Sequence, residues 1–449
     1  KGRLNRAIIK GAPEKLLAYC TSYYGEDLQV HPLTDEVRNM LEQRMAALSE
    51  KAMRVLAFAT SDNRIGEHLL QDMTFVGMVG IRDELRPEAV EAIKTAKRAG
   101  IQVVMVTGDK KETAAAIARD AKLIESEDDL ALTSEDLAAL SDDELKKLLP
   151  RLRVVARALP TDKSRLVRVS QELNLVVGMT GDGVNDAPAL KKADVGFAMG
   201  SGTEISKEAA AITILDDNFN SVVKTVLYGR TIYNNIRKFI VFQLTINISA
   251  VLIAFIGPFI GMGTPLSVTQ MLWVNIVMDT LAALALGGEP ALDRYMDEKP
   301  KRRDESIISK NMWSSLLVMG IYLTTASLVF LQHPFFRSLF RQDGEMIYEG
   351  HDIYFMTGFF CFYVLSAMLN GFNARTEKIN IFDNITQNKM FLYIMALIAG
   401  VQVLMTFIGG PILRTAPLTL QEWGVVILLS LIILPVGTLR KLIFPEKHT

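Results

Sequence analysis

Only two cysteines, Cys20 and Cys361, occur in 449 residues, and they lie far apart in the chain. That argues against a disulfide framework or a cysteine-built metal centre, and it suits a reducing compartment. The five histidines, His31, His68, His333, His351 and His448, show none of the short spacings that zinc ligands adopt. Neither sign of charge dominates. With 49 basic against 50 acidic residues there is no electrostatic footprint for a nucleic-acid partner, and none is expected. The opening residues Lys1-Gly2-Arg3-Leu4 lack the apolar run of a signal peptide. They lead straight into an expected strand over Ala7 to Lys10, so the chain is expected to begin inside a domain.

Apolar residues are plentiful, 49% of the total, and unevenly spread. Up to about residue 238 the pattern is that of a soluble protein. Beyond it come six apolar stretches of spanning length, at about 239–257, 268–287, 312–332, 353–370, 390–408 and 422–439. The loops around them sort by charge. One side carries Arg294, Lys299, Lys301, Arg302, Arg303, Lys310, Arg375, Lys378, Lys389, Arg440, Lys441 and Lys447, the other only Arg337, Arg341 and Arg414. Cytoplasmic loops retain Lys and Arg, so the soluble half and the C-terminus are expected in the cytosol.

Within the soluble half, a strand, the turn Gly11-Ala12-Pro13 and amphipathic helices fill the region to about Asp72, with Thr34 as a helix N-cap. From Met73 to about Asn220, strands alternate with helices: Phe75 to Ile81, a helix after Pro87, Gln102 to Val106, a helix after Lys110, and Leu175 to Met179. This alternation predicts a parallel sheet, which takes ligands at the carboxyl ends of its strands. Polar clusters fall at those ends. Thr107-Gly108-Asp109 follows one strand and precedes a helix, which makes a corner for an anion; an ordinary strand-to-helix turn with a capping Asp explains the run equally well. Thr180-Gly181-Asp182-Gly183-Val184-Asn185-Asp186-Ala187-Pro188 follows another. Its two carboxylates, four apart with glycine between, can turn toward one hard cation such as Mg²⁺. Lys163 lies between the clusters, and as a lone lysine it reads as an ordinary surface residue.

In the membrane half an acid at the centre of a spanning helix costs at least about 2.5 to 3.5 kcal/mol on insertion scales. Asp279 is such an acid. Asn275 precedes it by four residues, which on an α-helix sets both on one face, and an amide oxygen with a carboxylate suits a dehydrated hard cation. Gln243, Asn247 and Ser249 of the preceding stretch either line a pathway or bond neighbouring helices.

Taken in order, Thr107-Gly108-Asp109, Lys163 and the Thr180 to Asp186 run resemble the haloacid-dehalogenase-like phosphorylation domain of P-type ATPases. Lys10-Gly11-Ala12-Pro13-Glu14 resembles their nucleotide domain; Ala193 to Gly200 and Tyr233-Asn234-Asn235 extend the likeness into the stalk. The resemblance implies a multidomain α/β protein with an all-α membrane bundle. Residues 1–72 would be the C-terminal part of the nucleotide-binding domain and 73–225 that of a Rossmann-like phosphorylation domain, with the stalk and membrane helices five to ten at 226–449. It further implies that Asp182 and Asp186 hold Mg²⁺, that Thr107, Gly108, Lys163 and Asn185 grip the transferring phosphoryl group, and that Lys10, Arg54, Asp109 and Arg157 contact ATP.

Asn275 and Asp279 match the sixth-helix ligands of calcium pumps, and Phe242 to Thr245 with Leu272 to Thr280 resembles the plasma-membrane type. Ala250 and Ala367 stand where reticulum-type pumps place glutamates for a second ion, so one Ca²⁺ per cycle is expected. The family's phosphorylated Asp-Lys-Thr-Gly-Thr motif and its Thr-Gly-Glu actuator loop are absent. The missing N-terminal half, with the phosphorylated Asp, the actuator domain and helices one to four, is the expected partner; without it no aspartyl phosphate is expected. Animal plasma-membrane-type pumps carry a long regulatory C-terminal tail, whereas this chain stops soon after Arg440-Lys441, so the resemblance does not extend to autoinhibition by such a tail. A multi-pass protein of the plasma membrane is expected. The alternatives are a Mn²⁺ or mixed Ca²⁺/Mn²⁺ pump, a membrane-anchored phosphatase and a non-catalytic half-pump subunit.

Overall fold

A computed structural model describes residues 6–50, 53–62, 71–81, 85–344, 347–348 and 350–445. The chain divides into two compact units, one of Lys1–Thr225 with Lys299–Asp304, the other of Val226–Glu298 with Glu305–Thr449.

The first unit opens with a five-stranded sheet in the order Ala7–Gly11, Arg54–Ser61, Met73–Ile81, Cys20–Tyr24, Val30–Pro32. Alternation sets its buried face: Ala57, Ala59 and Ser61 are buried at every second position, and the two alanines pack with Leu16, Leu17, Leu41, Met73 and Phe75. The sheet continues through Met73–Ile81, past the residue at which the sequence pattern predicts a domain boundary. That strand pairs antiparallel with Arg54–Ser61 and parallel with Cys20–Tyr24. As expected, the Thr34 hydroxyl accepts from the Val37 amide, at 3.5 Å, where the helix Asp35–Glu50 begins.

The parallel strands that follow form two sheets rather than one. Met105–Val106, Leu152–Ala156 and Leu130–Thr133 make the first; Gly178–Gly181, Val195–Met199 and Ile212–Ile214 make the second. The strand expected over Gln102 to Val106 shrinks to its last two residues. There the Gln102 side-chain amide donates to Leu149 O at 2.7 Å and Leu152 O at 2.8 Å, in place of backbone pairing. Proline opens the helices Pro87–Arg98 and Pro160–Glu172, where its fixed φ suits the first turn and its missing N–H costs nothing. A strap from the loop between the second and third apolar helices, Lys299–Asp304, belongs to this unit. Arg303 N donates to Asn174 O at 3.2 Å, and its guanidinium pairs with Asp194 at 3.2 Å.

Six helices among the described residues are long and apolar enough to cross a membrane: Phe219–Ile260, which belongs to the second unit from Val226 onward, and, wholly in that unit, Val268–Gly287, Lys310–Gln332, Ile353–Arg375, Lys389–Ile408 and Leu420–Ile443. The first is one continuous helix over Phe219–Ile256, about 57 Å long at 1.5 Å per residue, so it outruns a hydrocarbon core of about 30 Å. The fourth is the hub, with 89% of its apolar window buried against 50% or less in the others. Val251, Phe255, Leu272, Ile276, Leu317, Ile321, Leu404 and Leu428 are exposed, an arrangement that suits hydrocarbon or further apolar helices rather than water.

Candidate active site and cation site

The phosphoryl site grows from the end of the strand Gly178–Gly181. Asp186 closes the short turn Val184–Asp186 and is buried; its Oδ2 accepts from the amides of Asp182 and Gly183, both at 3.3 Å. Lys163, on the helix Pro160–Glu172, donates to Asp186 Oδ1 at 2.5 Å. Gly181 is required by contact, because a Cβ there would lie 2.4 Å from Asp186 Cβ. The backbone of Asp182 is pinned from behind: its carbonyl accepts from Thr203 N at 2.8 Å and from the buried Ser206 hydroxyl at 3.1 Å. With backbone and neighbour held, the side chains of Asp182 and Asn185 remain exposed.

A second group forms around Thr107. Its hydroxyl accepts from the Asp109 amide and donates to Asp109 Oδ2, both at 3.2 Å, which closes the turn on itself. Arg157 N donates to Asp109 O and Ala158 N to Thr107 O, each at 2.9 Å. Arg157 takes a left-handed φ of 50°, a conformation that L side chains rarely adopt. Leu159 then leads directly into the helix that carries Lys163, so the two groups are joined through the chain. Nothing lies within 4 Å of a Cβ built on Gly108, which leaves that backbone open to approach. Lys10 is exposed on the edge strand Ala7–Gly11, whereas the Arg54 side chain lies outside the described residues.

The donor set fits Mg²⁺ as a partial shell. Asp182 and Asp186 offer hard oxygens, and no cluster of three or more acidic, histidine or cysteine side chains that could hold a metal alone occurs among the described residues. A metal held by two carboxylates completes its shell with water and substrate phosphate, the usual arrangement for Mg²⁺ at phosphoryl-transfer sites.

In the membrane unit the second span is not uniformly α-helical. Val268–Trp273 and Thr280–Gly287 flank a π-helical segment, Val274–Asp279, of the kind often found at functional sites. Asp279 is 5% exposed, and neither of its carboxylate oxygens has a hydrogen-bond partner among the described residues. Gln243 of the first span lies beside the carboxylate without a well-directed bond. On the fourth span, the Tyr363 hydroxyl sits 2.9 Å from both Ser249 Oγ and Ile246 O. Asn275, four residues before Asp279, is exposed where Asp279 is buried.

One unit thus carries a strand-end corner of Lys163 and two aspartates, and the other a buried acid without a hydrogen-bond partner among the described residues, in a helix of membrane-spanning length. Three family models match: P-type ATPase, cytoplasmic domain N, over residues 2–88; haloacid dehalogenase-like hydrolase over 173–226; and cation transporting ATPase, C-terminus, over 263–443. The chain belongs to the P-type ATPase family. It is 37% identical to a Dictyostelium discoideum protein named calcium-transporting ATPase PAT1, over 97% of this chain and 42% of that one. It is 38% identical to an Arabidopsis thaliana protein named putative calcium-transporting ATPase 13, plasma membrane-type, over 98% of this chain and 43% of that one. With plasma membrane calcium-transporting ATPase 3 of Homo sapiens it shares 37% identity, over 93% of this chain and 36% of the relative. The chain thus spans less than half the length of these relatives.

Proposed function

We propose that this chain forms the energy-coupling and cation-binding part of a pump that moves Ca²⁺ through a plasma membrane at the expense of ATP, one ion per cycle. Asp279 carries the reading. A carboxylate with both oxygens buried and unpartnered, inside a span of membrane length, is stabilised when a proton or a dehydrated cation occupies it. The names of the relatives support Ca²⁺ as that cation. Asn275, exposed in mid-span, is unfavourable against hydrocarbon and calls for a further helix bearing polar groups, which residues outside this sequence would supply along with the phosphorylated aspartate and the actuator loop.

At the phosphoryl site Lys163 both anchors Asp186 and presents positive charge to the transferring group. Asp182, exposed on a pinned backbone, holds Mg²⁺ with Asp186, and Thr107 and Asn185 take phosphoryl oxygens. Lys10, Arg54, Asp109 and Arg157 contact the nucleotide. Mg²⁺, when bound, neutralises charge on the phosphoryl oxygens. The side chains here position and neutralise; transport follows if the phosphorylated and unphosphorylated states differ in affinity at Asp279. The basic-residue bias of the loops supports a cytosolic first unit.

The test compares the reconstituted pump with its Asp279→Asn variant, following phosphorylation from ATP against Ca²⁺ and Mn²⁺. Expected are activation by Ca²⁺ at lower concentration than by Mn²⁺ and loss of metal activation in the variant. Stronger activation by Mn²⁺ would assign the cargo to that ion. Turnover unaltered in the variant would sink the pump reading in favour of a membrane-anchored phosphatase.

A further inference from the structure

Ten residues beyond Asp279, the second span ends in a buried polar hub. Glu289 is 7% exposed, and three nitrogen-bearing side chains from three other helices or their caps converge on its carboxylate. Asn388, the N-cap of Lys389–Ile408, donates to Oε1 at 2.7 Å. Arg375, the last residue of Ile353–Arg375 and only 2% exposed, reaches both oxygens at 3.4 Å. Lys238 of the first span lies 3.6 Å from Oε2. Asn388 and, from the first span, Asn235 cap the helix end. Asn388 donates to Ala285 O at 3.1 Å, while Asn235 donates to Gly287 O and Glu289 O at 3.2 Å, satisfying carbonyls that a helix C-terminus leaves unpaired.

We infer that Glu289 is a positioning residue for the cation site: it fixes the rotation of Thr280–Gly287 and thereby the direction in which Asp279 presents its carboxylate. Thr280–Gly287 is a rigid piece about 12 Å long, held at one end by the hub and joined at the other to the π segment that contains Asp279. Asp279 is the last residue of the π segment and is joined directly to Thr280, the first of the rigid piece. The anchored end is therefore the reference from which Asp279 is aimed. The inference rests on the cation-pump reading above.

The experiment titrates the membrane-reconstituted pump with Ca²⁺ alone and follows intrinsic tryptophan fluorescence. Trp273, which donates to Gln402 Oε1 at 3.3 Å, adjoins the π segment and supplies a signal independent of turnover. Wild type, Asp279→Asn, Glu289→Gln, Asn388→Ala and the double variant Glu289→Gln/Arg375→Met are compared, each with its thermal midpoint. Glu289→Gln should raise the half-saturating Ca²⁺ by about fivefold or more, the lower range of coupling between sites. Neutralising both partners of a buried pair together restores much of the stability lost by breaking it. The double variant should therefore recover its thermal midpoint and keep the raised half-saturation. Half-saturation that merely follows the thermal midpoint across the series, or that stays at the wild-type value in Glu289→Gln and Asn388→Ala while Asp279→Asn loses its response, overturns the inference alone. A wild-type protein without any Ca²⁺ response overturns the pump reading, and the inference with it.

Discussion

The ammonium of Lys163 donates to Asp186 Oδ1 at 2.5 Å, tying the helix Pro160–Glu172 to the turn that follows the strand Gly178–Gly181. The two side chains are only 19% and 8% exposed, so the pair is largely desolvated. Removing one partner of such a pair leaves an uncompensated charge and costs about 3–5 kcal/mol where burial is complete. Asp186 keeps two backbone donors without the lysine, whereas Lys163 has no second acceptor among the described residues. Asp186→Ala should therefore lower the thermal midpoint more than Lys163→Met. Both should reduce phosphorylation from ATP by on the order of a hundredfold, the scale of losing one preorganised charge stabiliser. Thermal melts alongside phosphorylation assays with labelled ATP check the ordering.

Gly181 and Gly108 make a controlled comparison. Alanine at 181 would put its Cβ 2.4 Å from Asp186 Cβ and 2.8 Å from its Cγ, so the carboxylate must move. Displacement by about 1 Å can cost about a hundredfold in rate, and Gly181→Ala should lose phosphoryl transfer on that scale. Alanine at 108 meets nothing within 4 Å. Gly108→Ala should keep the wild-type thermal midpoint and raise the half-saturating nucleotide concentration, because only an incoming phosphate needs that space. A change in the thermal midpoint with unchanged nucleotide dependence would return Thr107-Gly108-Asp109 to an ordinary turn.

Much of this was legible in the sequence, and the parts that were not share a physical reason. Six spans are visible because about twenty consecutive apolar residues are hard to place anywhere but in a membrane. The Thr180 to Pro188 run is visible because its two carboxylates and the glycine between them are local. The pin behind Asp182 is not: Thr203 and Ser206 act through hydroxyl and amide contacts twenty or more residues away, which no spacing announces. The same holds for Glu289 and Arg375, 86 positions apart. Asn275 and Asp279 differ in burial, which their spacing does not announce, and no residue in Val274–Asp279 marks the π turn. Met73–Ile81 reads correctly as a strand; its sheet is settled by pairing partners on both sides rather than by its own residues.

The strap Lys299–Asp304 permits a prediction in which the less conspicuous residue matters more. Arg303 pairs with Asp194, but the two side chains are 43% and 20% exposed, and an ion pair at the surface contributes at most about 1 kcal/mol. Gly100 has a φ of +71°, and a Cβ there would lie 2.7 Å from Pro300 Cδ, so alanine meets backbone strain and a ring at once. Strain of this kind costs roughly 1–3 kcal/mol. Gly100→Ala should free the strap more than Arg303→Ala does. Trypsin reports it directly, since Lys301, Arg302 and Arg303 lie in the strap: cleavage there should accelerate in the order wild type, Arg303→Ala, Gly100→Ala.

Cys20 reports on the stability of the five-stranded sheet. Its thiol is buried at 2% exposure and donates to Leu16 O at 3.2 Å; burial pushes its pKa up to about 11, against a weaker opposing pull from Arg38. At pH 8 only about one native molecule in a thousand would then carry the thiolate, the form that reacts with alkylating reagents. Alkylation of the native protein at pH 8 should therefore be slow and limited by opening of the sheet, and denaturant should accelerate it sharply. The pH dependence has a definite sign. An unfolded cysteine titrates near 8.5, so between that value and about 11 the folded state holds a proton that the unfolded state has lost. The contribution of this thiol to stability is complete below pH 8.5 and diminishes as pH rises toward 11. Cys20→Ala should flatten that part of the pH profile, and chemical denaturation of both proteins at pH 8 and pH 10 measures the difference. An equal fall in both would place the alkaline sensitivity elsewhere in the sheet.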